Sequence, residues 1–154
     1  MVEKVTYQIE NFYILKQQVD ELFQKHWEEI ALYKDKMKLN PDWEFYEHLY
    51  QEGMLGLYTA RKGSKLIGYF VVIAKPHPHY KDHLVAANDI IFVDPDYRKG
   101  LVGYKLIKFA KENLKQLGVS VLAVNIKVHK PFDKVLQRLG FENTERLYTV
   151  YLGE

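Results

Sequence analysis

"VDPDYRKGLVGYKLIKFAKENL", Val93 to Leu114, runs from the end of an apolar strand through a basic, glycine-punctuated turn into a long amphipathic helix. Val102, Leu106, Phe109, Ala110, Leu114 and Leu117 face one way, and Lys105, Lys108, Glu112 and Lys115 the other. This is the one-sided stripe of a helix packed on a sheet, and Gly118 ends it. A helix beginning near Gly100 leaves its first amide hydrogens unpaired. Those donors, the helix dipole and the cations Arg98 and Lys99 together favour an anion, while Gly100 and Gly103 let the main chain approach it closely. The spacing is neither G-x-G-x-x-G nor G-x-x-x-x-G-K-[ST], so neither a dinucleotide glycine loop nor a P-loop is indicated. The plainer reading of the same residues is a strand-to-helix turn with Arg98 and Lys99 solvated.

Working outward, Val5 to Ile9 alternates as a first strand. From Phe12 the period changes, and Phe12, Leu15, Val19, Leu22, Phe23, His26, Ile30 and Tyr33 form the stripe of one long helix, with His26 a core or boundary residue. Asn40 and Pro41 open a second helix that Gly53 closes, with Trp43, Tyr46, Leu49 and Tyr50 on its buried side. Leu55 to Ala74 reads as two strands joined at Lys62, Gly63 and Ser64. "KPHPHYKDH" is expected to be a loop, since two prolines in three residues do not suit a ladder. Leu84 to Val93 is a strand whose apolar end is covered on both faces. Val119 to Val128 is another strand, Pro131 to Leu139 a short helix closed by Gly140, and Leu147 to Leu152 a last strand. Hairpin-linked strands followed by a strand-helix-strand crossover predict an α/β fold, a mixed and mostly antiparallel sheet with helices on both faces. With 154 residues and no linker or repeat, a single domain over 1–154 is expected.

Composition removes several classes of chemistry. The absence of cysteine excludes disulfides, thiolate metal sites and a cysteine nucleophile. The first residues have neither the basic nor the apolar region of a signal peptide, and no run of about 18 apolar residues occurs, so a soluble, cytoplasmic protein without membrane contact is expected. A net charge of +2 with no basic cluster argues against nucleic acid, and Lys105, Lys108 and Lys115 read as a solvated helix face. His77, His79 and His83 lack a completing carboxylate pattern, so no metal is expected.

"DIIFVDPDYRKGLVGYKLIKFA" (Asp89 to Ala110) resembles the acetyl-CoA-binding segment of the GCN5-related N-acetyltransferases (GNAT), in which a strand ending in V-x-P-x-x-R leads into an R-x-x-G-x-G turn and a helix. The order of elements is similar from the first strand to "LQRLGFE" (Leu136 to Glu142). It is also similar to that of small acetyltransferase-like proteins carried by bacteriophages and prophages. The resemblance implies that the strand ending at Val93 splays from the next, with the pantetheine arm of coenzyme A along the main chain of Ile91, Phe92 and Val93. It places the pyrophosphate at Arg98, Lys99, Gly100, Leu101, Val102, Gly103 and Tyr104. Leu101 stands at the motif's first glycine, and Gly103 at its second.

Acetyl transfer requires a neutral amine, yet an amine of pKa about 10.4 is only about 0.1% neutral near pH 7.4. A base or a desolvating pocket is therefore needed. By the resemblance, Asp89 stands where the family often places a carboxylate; its alternative is a strand-start pairing residue. His79, with Tyr80 on the pocket rim, and His77 are the other candidates, since imidazole titrates near neutrality. Leu136 replaces the tyrosine with which the family protonates the departing thiolate, leaving His129 as a candidate donor. Without cysteine, transfer is expected to be direct, in a ternary complex with an amine acceptor that is a small molecule or a protein. The alternative is a binding protein of this fold that has lost catalysis, for which Leu101 and Leu136 speak. The edge left beyond Leu152 is one that a second copy would cover as a homodimer.

Overall fold

The computed structural model describes residues 4–154. Five strands, β1 (Val5–Ile9), β2 (Leu55–Lys62), β3 (Lys65–His77), β4 (Tyr80–Val93) and β5 (Val119–Ala123), form one sheet in chain order. The first four are antiparallel, and β5 lies parallel to β4. The parallel step is made by the crossover helix α4 (Val102–Gln116), as that geometry requires.

Alternation along β2 and β3 decides what covers each face. Tyr58, Ala60, Phe70 and Val72 face Leu106, Ile107, Ala110 and Leu114 of α4 and Leu136 of α5 (Asp133–Arg138). Their neighbours Leu57, Tyr69 and Val71 face the other way. There they meet Phe12 and Leu15 of α1 (Phe12–Lys16), Leu22 of α2 (Asp20–Ile30) and Trp43 and Tyr46 of α3 (Trp43–Gln51). The α/β class, the mixed sheet and the helices on both faces therefore agree with the sequence.

Several boundaries differ. The long first helix is two, broken at residues 17–19. Asn11 caps α1 through Tyr13 N–H, and in the break Gln18 accepts from Arg61, whose Nε is held by buried Glu10 at 2.6 Å. The apolar stripe continues across the break because Phe12, Leu15, Val19 and Leu22 all stay buried. α3 starts later than Asn40 and Pro41 suggest, because it is Asp42 that accepts from Phe45 N–H.

The expected loop "KPHPHYKDH" is instead the tip of the β3–β4 hairpin, with Pro76 opposite Leu84 and His77 opposite Tyr80. The ladder tolerates Pro76 because β2 begins opposite Ile73. Beyond that point β3 has a neighbour on one side only, as a proline requires. β5 ends at Ala123 rather than Val128, and no strand forms at Leu147 to Leu152. That last segment leaves the sheet for the α2–α3 link, where Tyr33 O–H and Thr149 Oγ1 lie 3.2 Å apart and the Tyr33 and Tyr151 rings 5.5 Å apart.

Candidate active site

The site is built on an asymmetry within β4. From Leu84 to Ala87 it pairs with β3 on one side and β5 on the other, but from Asn88 onward only β3 remains. Asn88 marks the fork: its Oδ1 accepts from Asn125 N–H at 2.7 Å, the first residue pair beyond the ladder tied by a side chain. Past the fork, Asp94 N–H bonds Ile67 O, and Phe92 stands opposite Tyr69. In an antiparallel ladder, alternate residues exchange bonds with one neighbour. Ile91 and Val93 consequently turn their N–H and C=O groups to the open side.

Asp89 occupies a bulge. Val71 pairs with Ile90 and Val72 with Asn88, so Asp89 has no partner on β3. Such an extra residue re-aims its side chain, and here the carboxylate opens onto a cavity of about 1940 Å³ between the α2–α3 side, the β4–β5 fork and residues 141–149. Tyr46 of α3 donates its O–H to Asp89 Oδ2 at 2.6 Å. Desolvation nonetheless raises the Asp89 carboxyl above its ordinary range, outweighing the opposing hydrogen bond. The Tyr46 phenol is raised too, first by desolvation and then by the hydrogen bond to Asp89.

Beneath this floor His26 is buried, stacked on Phe92 with ring centroids 4.7 Å apart, its Nδ1 2.6 Å from Tyr69 Oη. Burial lowers its pKa to about 4, so it is neutral at physiological pH.

At the far end of β4 a short 3-10 turn (Pro95–Tyr97) leads to α4. Gly100 has φ +118°, in the region that favours glycine, whereas Leu101 has φ −109° and precedes the helix with no side-chain cap. The turn's left-handed residue is thus Gly100, one position before Leu101. The first main-chain bond into the helix runs from Lys105 N–H to Leu101 O, which leaves the amides of Val102, Gly103 and Tyr104 as donors. No acidic residue lies in that first turn. Arg98 is engaged elsewhere: its guanidinium forms a paired contact with Glu29 of α2, at 2.6 and 2.5 Å, and its Nε donates to Val93 O at 2.8 Å. Lys99 is exposed.

The other candidates are dispersed. His79 and Tyr80 sit at the hairpin tip, nine residues of strand from Asp89, roughly 30 Å at the usual rise. There His77 Nδ1 accepts from His79 N–H. Tyr80 lines the distant end of the cavity. His129 is exposed in the turn after β5, while the asparagine beside β4 is Asn125. Leu136 is buried in the core and presents no polar group. Among the described residues no group of three or more metal-ligating side chains is placed to hold an ion. Tyr46 and Asn88 escaped the sequence reading. An aromatic on a helical stripe reads as core, and a polar residue before an apolar run carries no mark of a fork.

The profile of the acetyltransferase (GNAT) family matches residues 16–141, from α1 to just beyond α5. The chain belongs to the GNAT family. It is an acetyl-CoA-dependent N-acetyltransferase, as the family is. Among solved structures, a ribosomal-protein-alanine N-acetyltransferase from Brucella melitensis is similar at 19% identity with TM-score 0.72, over 97% of this chain and 100% of that one. An aminoglycoside acetyltransferase from an uncultured soil metagenomic sample, in complex with sisomicin, is similar at 16% identity with TM-score 0.71, over 96% of each. Glucosamine-6-phosphate N-acetyltransferase from Arabidopsis thaliana gives 15% and 0.72, over 98% and 100%. At these identities the likeness is one of fold. No curated protein matches the chain. Among the described residues of this GNAT enzyme no helix is long and apolar enough to cross a membrane.

Proposed function

We propose that the enzyme acetylates a primary amine held at Asp89, by direct transfer in a ternary complex. The observation that carries this reading is the bulged Asp89 carboxylate, bonded to Tyr46 O–H, where the opened edge of β4 meets the cavity.

Acetyl-CoA fits the chain in two respects. The outward N–H and C=O groups of Ile91 and Val93 suit the amides of a pantetheine arm, which would lie along them as an added strand. The unpaired amides of Val102, Gly103 and Tyr104, with Lys99 beside them, suit a pyrophosphate. Arg98 has a positioning role in this reading. It ties the turn to Glu29 and neutralises that carboxylate, so that an anion at the helix start is not repelled. Val93 O, already bonded to Arg98, offers its remaining lone pair.

Acetyl-CoA supplies an acetyl group activated as a thioester. The ammonium of the acceptor first gives a proton to Asp89. Lowering its population of the charged form matters, because the neutral form at pH 7.4 is disfavoured by about 4 kcal/mol. A carboxyl raised above its usual range is a better base, and base catalysis of this kind contributes about 10²- to 10⁴-fold. The amine nitrogen then bonds to the acetyl carbon as the C–S bond breaks. Its second proton passes to water, and the thiolate, whose basicity is low, takes its own proton from water. With no cysteine in the chain, no acetyl-cysteine intervenes. Tyr46 fixes the carboxylate rotamer and keeps Oδ2 occupied, leaving Oδ1 to the amine.

Asp89→Asn tests this. With acetyl-CoA affinity unchanged by calorimetry, kcat/KM for the acceptor should fall about 100-fold or more. An undiminished rate would remove Asp89 as the base.

A further inference from the structure

Resting on the reading above, the cavity wall also specifies the kind of amine that enters. Between Phe23 and Tyr46, the residues that line the cavity carry a single formal charge, that of Lys38, since His26 is neutral. Leu32, Met37 and Leu39 are 50%, 54% and 38% exposed, and all three lie on this wall. Apolar side chains left uncovered together mark a surface that meets an apolar partner. Trp27 and Tyr33 add aromatic faces beside them. Across this side of the cavity, from α2 to the fork, the one carboxylate is Asp89.

The rest of the lining, from α4 to residues 141–149, carries both signs with an excess of positive charge. Lys111, Lys115, Lys127, Lys130 and Arg146 line it against the carboxylates Asp133, Glu142 and Glu145. An acceptor with its body on the α2–α3 wall and several ammonium groups would place one on Asp89 and the others against apolar side chains or Lys38, away from the carboxylates across the cavity. A charge left there without a partner is costly, and a polyhydroxylated body would exchange part of its water for Leu32, Met37 and Leu39, which cannot bond it. A volume of about 1940 Å³ also exceeds the usual range for one small ligand, leaving room for a bulky acceptor body beside the acyl donor.

We propose that the acceptor is a primary monoamine carrying an aromatic or branched apolar body, with its ammonium on Asp89 and its body against Trp27, Tyr33, Met37 and Leu39. Polyamines, aminoglycosides and other multiply charged amines are disfavoured by the same wall.

The test begins with calorimetry of acetyl-CoA on the full chain. Absence of binding would defeat the functional reading itself, and with it this inference. With binding established, saturation-transfer NMR of the protein without acetyl-CoA compares 2-phenylethylamine, tryptamine, spermidine and kanamycin. Thiol release with acetyl-CoA then ranks the same four as acceptors. The expected result is saturation transfer to the two aromatic monoamines, and kcat/KM for them about tenfold or more above spermidine and kanamycin. Leu39→Glu, at an exposed link position, should lower the monoamine kcat/KM by about tenfold and raise that of spermidine. Equal or better turnover of the polyamines overturns the inference while leaving the acetyltransferase reading intact. So does acetyl-CoA binding without turnover of either monoamine.

Discussion

From Leu84 to Ala87, β4 is hydrogen-bonded on both edges and serves as ordinary sheet; from Asn88 to Val93 it is bonded on one edge, and the fork, the bulged Asp89 and the outward main-chain groups of Ile91 and Val93 lie along that stretch. The two halves share a strand, a neighbour in β3 and an apolar character. What separates them is that β5 stops at Ala123, with Asn88 tying Asn125 at the point of divergence. The candidate site thus lies where a ladder is withdrawn. Main-chain groups that would otherwise hold a sheet together are left without a neighbouring strand, and a bulge at the boundary turns Asp89 toward the cavity.

Proline substitutions break this comparison most directly. Ala86→Pro falls where either edge of β4 needs its N–H, so the protein should lose about 3 kcal/mol or more in chemical denaturation. Ile91→Pro removes an N–H that faces the open side, as prolines in sheets require. It should leave the urea midpoint close to wild type while weakening acetyl-CoA about tenfold in calorimetry, the worth of one hydrogen bond. Equal destabilisation by the two would show that the halves are not different in kind.

A second contrast is thermodynamic. His26, stacked beneath the open half on Phe92, has a pKa lowered from 6.5 to about 4. The folded state thus binds this proton less tightly than the unfolded chain. The resulting stability is fully present above pH 6.5 and is lost as pH falls toward 4, amounting to about 3 kcal/mol below that. His26→Asn should abolish this component, read as the difference between the two proteins' stability curves from pH 7 to 4. Parallel curves would contradict a buried neutral imidazole.

The smallest expected effect concerns the boundary residue. Tyr46→Phe removes the hydrogen bond that holds the Asp89 carboxyl down, so its pKa should rise further and the acid limb of the kcat/KM profile should move to higher pH. A purely structural role for Tyr46 would lower activity without displacing that limb.

The sequence disclosed the parts whose signals are local. The β2–β3 hairpin falls at Lys62, Gly63 and Ser64, and the α4 stripe and the basic turn before it are where periodicity puts them. It disclosed less where a residue's state depends on a distant partner. Pro76 lies in a strand because β2, which begins opposite Ile73, does not extend beside it. Leu147 to Leu152 has strand-like residues, yet Tyr33 and Lys36 hold Thr149 and Tyr151 at the α2–α3 link instead. In the candidate site, Asp89 was legible as a residue, but its bulge depends on the register with Val71 and Val72, and its partner Tyr46 is 43 residues away. Arg98 was legible as a cation in the turn before α4. That its guanidinium is paired with Glu29 follows only from the packing of α2 against the turn.

The most direct test of the withdrawn ladder is amide hydrogen exchange by NMR across β4, with and without saturating acetyl-CoA. Phe92, opposite Tyr69 on β3, should be protected in both states, while Ile91 and Val93 exchange quickly in the free protein and become protected when acetyl-CoA is bound. Ile91 and Val93 amides that exchange at the same rate in both states would contradict it.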